Sequence, residues 1–165
     1  MGDVTVRTAD PADAPTLVSI KRDAIEGLTG DAYTADQKTA WAPDEAATAE
    51  FRAALDADSF QVLVAEADDT VVGYGVLNAE AATIDALFVR PFWTRDGIAT
   101  RLLSHLEMSA AVFGCDSLSA VVALNAVPFY EQSGYERAES RIRTIGGIDL
   151  EFLSMSKELD DEGDT

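Results

Sequence analysis

Residues 83–91, TIDALFVRP, and 93–114, WTRDGIATRLLSHLEMSAAVFG, decide how the rest of the chain is read. The first reads as a strand that ends in a proline. The second is a small glycine-bearing turn that opens into an amphipathic helix. Ile98, Leu102, Leu103, Leu106 and Ala110 form its apolar stripe, Arg101, Ser104, His105 and Glu107 face outward, and Gly114 terminates it. The first turn of a helix leaves backbone N–H groups unpaired at the positive end of the macrodipole, an arrangement that suits phosphate oxygens. Gly97 lets an anion approach the backbone with no Cβ in the way. The stricter phosphate signatures G-x-G-x-x-G and G-x-x-x-x-G-K-[ST] are missing, which argues against dinucleotide binding and nucleotide hydrolysis. Function is therefore sought at the mouth of this helix and along the neighbouring strand edges.

Working outward, residues 4–9 alternate as a short strand, and Asp10, Pro11 and Asp13 mark a helix start. Leu17, Ile20, Ala24, Ile25 and Leu28 continue that helix at its proper spacing, and Gly27 and Gly30 close it. DAYTADQKTAWAP (31–43) reads as a looser stretch before a second helical pattern at 44–56. FQVLVAE (60–66) and VVGYGVLN (71–78) form two strands across a tight turn. After the Gly97 helix come a strand at 117–123, a short helix at 127–133, and strands at 139–146 and 148–157 broken at Gly146-Gly147. The order βαα βββ α β α ββ predicts an α/β (α+β) sheet covered on both faces. A single domain is expected over residues 1–157, followed by a disordered acidic tail at 158–165 (ELDDEGDT).

The 165 residues carry 30 acidic and 12 basic side chains, a net charge of −18. Self-repulsion on that scale is relieved when salt screens it, and the acids are spread along the whole chain. An otherwise ordinary composition with such a surface points to a protein adapted to a salty cytoplasm. No basic patch exists to displace counterions, so nucleic acid is not an expected partner. No apolar run approaches a membrane span, and MGDVTVRTAD has no signal-peptide character, so a cytoplasmic location is expected. One cysteine, Cys115, and one histidine, His105, exclude an internal disulfide and leave too few ligands for a zinc site; no metal is expected.

The chain resembles the GNAT superfamily of N-acetyltransferases in several segments, in the right order. The family's phosphate turn, [Q/R]-x-x-G-x-[G/A] after a strand ending V-x-P, is matched by Val89-Arg90-Pro91 and Thr94-Arg95-Asp96-Gly97-Ile98-Ala99. Its downstream pattern N-A-x-x-F-Y-E-x-x-G-[F/Y] is matched by Asn125 to Tyr135, NAVPFYEQSGY. The hairpin VAEADDTVVGYGVL is similar to its second and third strands. The resemblance implies a mixed, largely antiparallel sheet of about seven strands flanked by helices, with acetyl-CoA as acyl donor. It implies that Leu87, Phe88 and Val89 pair with the pantetheine arm, and that amides of Arg95, Asp96, Gly97, Ile98, Ala99 and Thr100 hold the pyrophosphate. Asn125 would contact the arm, and Tyr130 would protonate the leaving thiolate. A primary amine of a small molecule or a protein would attack the thioester directly, with an N–H near Leu87 or Phe88 stabilising the developing oxyanion. Homodimers are frequent in the family.

Two positions depart from the pattern. Thr94 stands where the family has Gln or Arg, and Asp96 stands where Lys or Arg is common. A carboxylate at Asp96 caps a helix well but competes with phosphate for the same N–H groups. Asp85, on the cofactor strand, is the candidate general base and Glu80 a further acid facing the acceptor, although both serve equally as surface acids. Tyr33 and Trp41 fall in the region that shapes acceptor pockets in the family, or pack. A noncatalytic acyl-CoA-binding or sensing domain of the same fold is the alternative to an enzyme.

Overall fold

The computed structural model describes residues 4–28, 32–57, 60–93 and 97–159. Among these, β1 (Val4–Thr8), β2 (Phe60–Ala67), β3 (Thr70–Asn78), β4 (Thr83–Val89), β5 (Ser117–Ala123), β6 (Glu136–Ile145) and β7 (Ile148–Glu158) form one sheet in the order β1-β2-β3-β4-β5-β7-β6. Neighbours are antiparallel except β4 and β5, which run parallel. The helices are α1 (Ala14–Glu26), α2 (Ala35–Trp41), α3 (Thr48–Asp56), α4 (Ile98–Val112) and α5 (Val127–Gln132). The expected mixed, mostly antiparallel sheet with helices on both faces is what the chain forms.

On one face, Ile98, Leu102, Leu103, Leu106 and Ala110 of α4 pack into a single apolar cluster with residues of β2, β3, β4, β5 and β7. Two glycines of β3 set how close the helix lies. A Cβ on Gly75 would stand 2.7 Å from Leu106 Cδ1, and one on Gly73 would stand 3.3 Å from Leu102 Cδ1. The other face carries two smaller clusters, one of Leu17, Ile20, Val62, Val64 and Tyr74, the other of Tyr33, Leu150 and Phe152.

Three elements differ from the sequence reading. The stretch read as loose contains α2, started by a capping box. Thr34 Oγ1 accepts from the Gln37 N–H (3.1 Å), and Gln37 Oε1 accepts from the Thr34 N–H (2.8 Å). Strand β6 starts at Glu136 rather than 139; it is an edge strand, with a bulge between Arg137 and Ser140 and nearly every residue exposed. Strand β7 runs through Glu158, and the Leu159 N–H donates to the Asp116 carbonyl (2.8 Å). Residues 160–165 of the expected tail, like Gly30, lie outside the described residues. Among the described residues no helix is long and apolar enough to cross a membrane.

The feature that organises the site is the parting of β4 from β5. They pair only at Thr83 with Ser119 and Ile84 with Ala120. At the same point β4 carries a bulge against β3, where the register steps from Leu77–Ile84 to Val76–Ala86 and Asp85 is the extra residue. The bulge turns the strand. Ile84, Leu87 and Val89 pack toward α4, whereas Ala86 and Phe88 pack on the opposite face.

Candidate active site

Beyond Ile84, one edge of β4 has no strand beside it. The Arg90 N–H donates to the Val72 carbonyl (2.8 Å), which makes these two a bonded pair of the β3–β4 ladder. Antiparallel alternation then directs the N–H and C=O of Phe88 toward β3, and those of Leu87 and Val89 to the other side, into the gap left by β5. The backbone there is free to pair with an extended ligand, as an added strand would.

The mouth of α4 lies past the end of this strand. The capping position is Gly97, at φ +75, and among the described residues no side chain caps the helix. That backbone conformation favours glycine, and the space a Cβ would fill is open. The first internal bond of the helix runs from the Arg101 N–H to the Gly97 carbonyl (3.0 Å), so the amides of Ile98, Ala99 and Thr100 precede the ladder and are available to an anion. Thr94, Arg95 and Asp96, the rest of the expected phosphate turn, lie outside the described residues.

Tyr130 of α5 is 6 % exposed and sits in the same cluster as Val89 of β4 and Ala120 and Val122 of β5. Its ring meets Phe129 and Tyr135 edge-on, at 5.3 Å each. No described residue forms a hydrogen bond with its hydroxyl, an expensive arrangement for a buried polar group. Burial holds the phenol well above its ordinary pKa, and the charge of Glu107 raises it further, so it is a neutral proton donor at any physiological pH. Asn125, in the turn Leu124–Ala126 that follows β5, is exposed, and its side chain has no hydrogen-bond partner among the described residues. Between α4 and α5 lies a cleft of about 290 Å³, lined by residues that include Thr100, Ser104, Phe129 and Gln132. Its inner wall is tied together by Glu107, which accepts from the Tyr135 hydroxyl (2.8 Å) and from Lys157 Nζ (3.1 Å).

The opposite face of the gap is aromatic. Trp41 stands 6.2 Å from Phe88 of β4 and 5.2 Å from Phe152 of β7, ring centre to ring centre, and so bridges strands on either side of β5. Tyr33 packs beside Trp41 at 5.5 Å, but its hydroxyl is fully used. It donates to the Glu151 carbonyl (2.6 Å) and accepts from the Leu124 N–H (3.0 Å). Tyr33 is thus a strut that fixes the Asn125 turn to β7, and its hydroxyl has little left to offer a substrate. Trp41 is half-buried and does face this region.

Of the two acids, Asp85 lies at the vertex where β4 and β5 part, exposed, with Oδ1 accepting from Thr83 Oγ1 (2.7 Å). Glu80 is exposed in the turn before β4, at the closed end of the gap, with the paired residues Thr83 and Ile84 and the bulge between it and Leu87. The fold therefore gathers Leu87, Val89, Ile98, Ala99 and Tyr130 in one cluster, with Gly97 and Thr100 adjoining it on α4 and Asn125 next to its member Ala126, sets Asp85 at the vertex of the gap, and leaves Glu80 in the turn before β4.

Sequence reasoning missed Lys21. Its ammonium lies over the rings of Phe51 (5.9 Å) and Phe88 (5.6 Å). The signal was present: Leu17, Lys21 and Ile25 are spaced i, i+4, i+8, which puts a cation on the apolar stripe of α1. Arg143, over the ring of Phe152 (5.5 Å), left no comparable trace in the sequence.

The sequence model of the acetyltransferase (GNAT) domain matches residues 29–159. The uncharacterized N-acetyltransferase YafP of Escherichia coli is 30% identical over 142 residues, covering 86% of this chain and 87% of that protein. The GCN5-related N-acetyltransferase structure from Rhodopseudomonas palustris is 31% identical, with a TM-score of 0.87 over 96% of this chain and 98% of the other. The PaiA N-acetyltransferase of Thermoplasma acidophilum, solved in complex with coenzyme A, shares the fold at 18% identity and a TM-score of 0.79, covering 94% and 99% of the two chains. With its parted strands, open helix mouth and buried phenol, the chain belongs to the GNAT family of acetyltransferases.

Proposed function

We propose that this protein moves an acetyl group from acetyl-CoA to a primary amine by direct attack, with Tyr130 as general acid. The observation that carries this reading is the Tyr130 hydroxyl, buried and unpartnered beside a strand edge that is also unpaired. Coenzyme A and acetyl-CoA accompany structural neighbours of this fold, PaiA and YncA of Salmonella typhimurium, and the residues present here suit such a donor. Amides from Arg95 to Thr100 hold the diphosphate, the free edges of Leu87 and Val89 pair with the pantetheine amides, and Asn125 contacts the same arm. Acetyl-CoA supplies an activated acyl group with a thiolate leaving group.

The amine must arrive neutral. Asp85, at the vertex of the gap, takes its proton directly or through water. The Leu87 N–H, facing the gap, stabilises negative charge on the carbonyl oxygen; Phe88, its amide turned to β3, does not. The C–N bond forms, the C–S bond breaks, Tyr130 gives its proton to sulfur, and the proton then shed by the acylated nitrogen passes through water to restore the phenol. The acceptor is a small-molecule amine or a protein amino group, and the work is done in a salty cytoplasm. Stability that rises from dilute buffer to molar potassium chloride is the expected sign of that setting.

Calorimetric titration with acetyl-CoA, followed by a free-thiol release assay over a panel of amines, tests the reading. Binding with turnover on at least one amine is expected. Binding with no turnover on any amine indicates an acyl-CoA sensor, and no binding refutes both.

A further inference from the structure

The acetyltransferase reading leaves the acceptor open, and two cations narrow it. In a chain of 30 acids and 12 bases, carboxylates are plentiful, and most cations find partners. Arg7, Arg90, Arg137, Arg141 and Lys157 each have a carboxylate within 3.5 Å. Lys38 and Arg101 donate to backbone carbonyls. Lys21, Arg22, Arg52 and Arg143 do neither among the described residues, and of these only Lys21 and Arg143 stand over aromatic rings. They stand instead over the two ends of one aromatic block, Lys21 over Phe88 and Arg143 over Phe152, with Trp41 joining the rings between them.

The two charges are close enough to act on each other. Burial lowers the pKa of the Lys21 ammonium, and Arg143 lowers it further, against a weaker opposing effect of Glu50, which lies beyond ion-pair distance. Cation–π contact compensates part of the lost hydration, but it does nothing about two like charges facing one site. An anion between them would. The block also lies where an acceptor must come, because Phe88 sits on β4 between Leu87 and Val89, the two residues whose backbone faces the gap.

We propose that Lys21 and Arg143, at the two ends of the Phe88–Trp41–Phe152 block, bind a carboxylate carried by the acceptor, so that the acceptor is a small amine that is also an acid. The proposal rests on the acetyltransferase reading for the chemistry but not for the binding. An acidic surface offers such a ligand no general attraction, so its recognition falls to a local pair of cations with an aromatic floor.

The test uses the full chain and a panel of free amino acids, each matched with its primary amide, at one fixed ionic strength. For the best acceptor, kcat/KM for the acid exceeds that for the amide by about tenfold or more, chiefly through KM. Lys21→Met and Arg143→Gln each lower that ratio about tenfold, and Lys21→Arg restores most of it. Amides that serve as well as acids, or variants that lower both substrates equally, overturn the proposal. So does a peptide acetylated faster than every free amine.

A second measurement separates this idea from the transferase reading. Calorimetry with N-acetyl amino acids and their N-acetyl amides, in the presence of coenzyme A, reads the subsite without turnover. Binding of an acid but not its amide, lost in both variants, sustains the subsite even if no amine is ever acetylated. Equal binding of acid and amide, or none of either, sinks it whatever the assay shows.

Discussion

The two sides of the gap treat their polar groups in opposite ways. On the α4 side, among the described residues, the Gly97 mouth has no side-chain cap, Asn125 has no side-chain partner, and the Tyr130 hydroxyl is buried without one. On the α2 side almost everything is engaged. Tyr33 spends its hydroxyl on two backbone groups, Thr34 and Gln37 cap one another, Gln37 Nε2 donates to the Asp149 carbonyl, and Lys38 donates to the Leu28 carbonyl. Unmade hydrogen bonds mark where a ligand is awaited, and completed ones mark where the scaffold is held. By that criterion the α2 side is framework, except for Lys21, Arg143 and the Tyr74 hydroxyl, which is sealed in the core.

Three tyrosines test the contrast by the same change. Tyr130→Phe should lower kcat about 10²- to 10³-fold if the hydroxyl is the general acid. Thermal unfolding should hold or rise slightly, because no protein hydrogen bond is lost and a buried hydroxyl without a protein partner is removed. A stable, inactive variant supports the contrast, and an unstable one breaks it. Tyr33→Phe should do the reverse. It leaves the Leu124 N–H and the Glu151 carbonyl without their partner and should cost about 1–3 kcal/mol in denaturant unfolding, with activity falling only as far as the Asn125 turn loosens.

Gly75→Ala probes how firmly α4 is seated. Leu106 is fully buried and cannot swing aside, so the added methyl should cost about 1–3 kcal/mol and weaken acetyl-CoA binding by shifting the helix mouth. Denaturant unfolding and calorimetry on one preparation check both effects. The smallest change concerns Tyr74, 1 % exposed between Phe51 and Phe88, whose hydroxyl also has no partner among the described residues. Removing it in Tyr74→Phe should raise stability by about 1 kcal/mol at neutral pH. Burial holds this phenol far above its ordinary pKa near 10, so the unfolded chain loses the proton first. Stability from this group is therefore complete below pH 10 and falls above it, by about 1.4 kcal/mol per pH unit, until the folded pKa is reached. Tyr74→Phe should flatten that alkaline fall in chemical denaturation at pH 9 and pH 11. A loss of stability at neutral pH would show that the hydroxyl has a partner.

The sequence was most legible on the α4 side. The helix mouth, the stripe from Ile98 to Ala110 and the run from Asn125 to Tyr135 are local patterns, and local patterns survive translation into structure. Strand β4 was harder. Its bulge puts Ile84 and Leu87 on one face, against the period of two on which a strand is read, and nothing in TIDALFV announces it. Helix α2 was legible in principle, since Thr34 and Gln37 spell a capping box, but seven residues with no buried side chain leave no stripe to notice. The aromatic block was out of reach. Trp41, Phe88 and Phe152 are far apart in the chain, and only the closed sheet places their rings within contact.

Strand β6 has a bearing on how this protein behaves in company. It carries Glu136, Arg137, Glu139 and Arg141, charges of alternating sign, with the bulge between Arg137 and Ser140. Alternating charge and a local kink are poor templates for a foreign backbone. Crowded molecules should therefore slide past one another at this border instead of zipping into fibres, and any self-association has to be built by side chains.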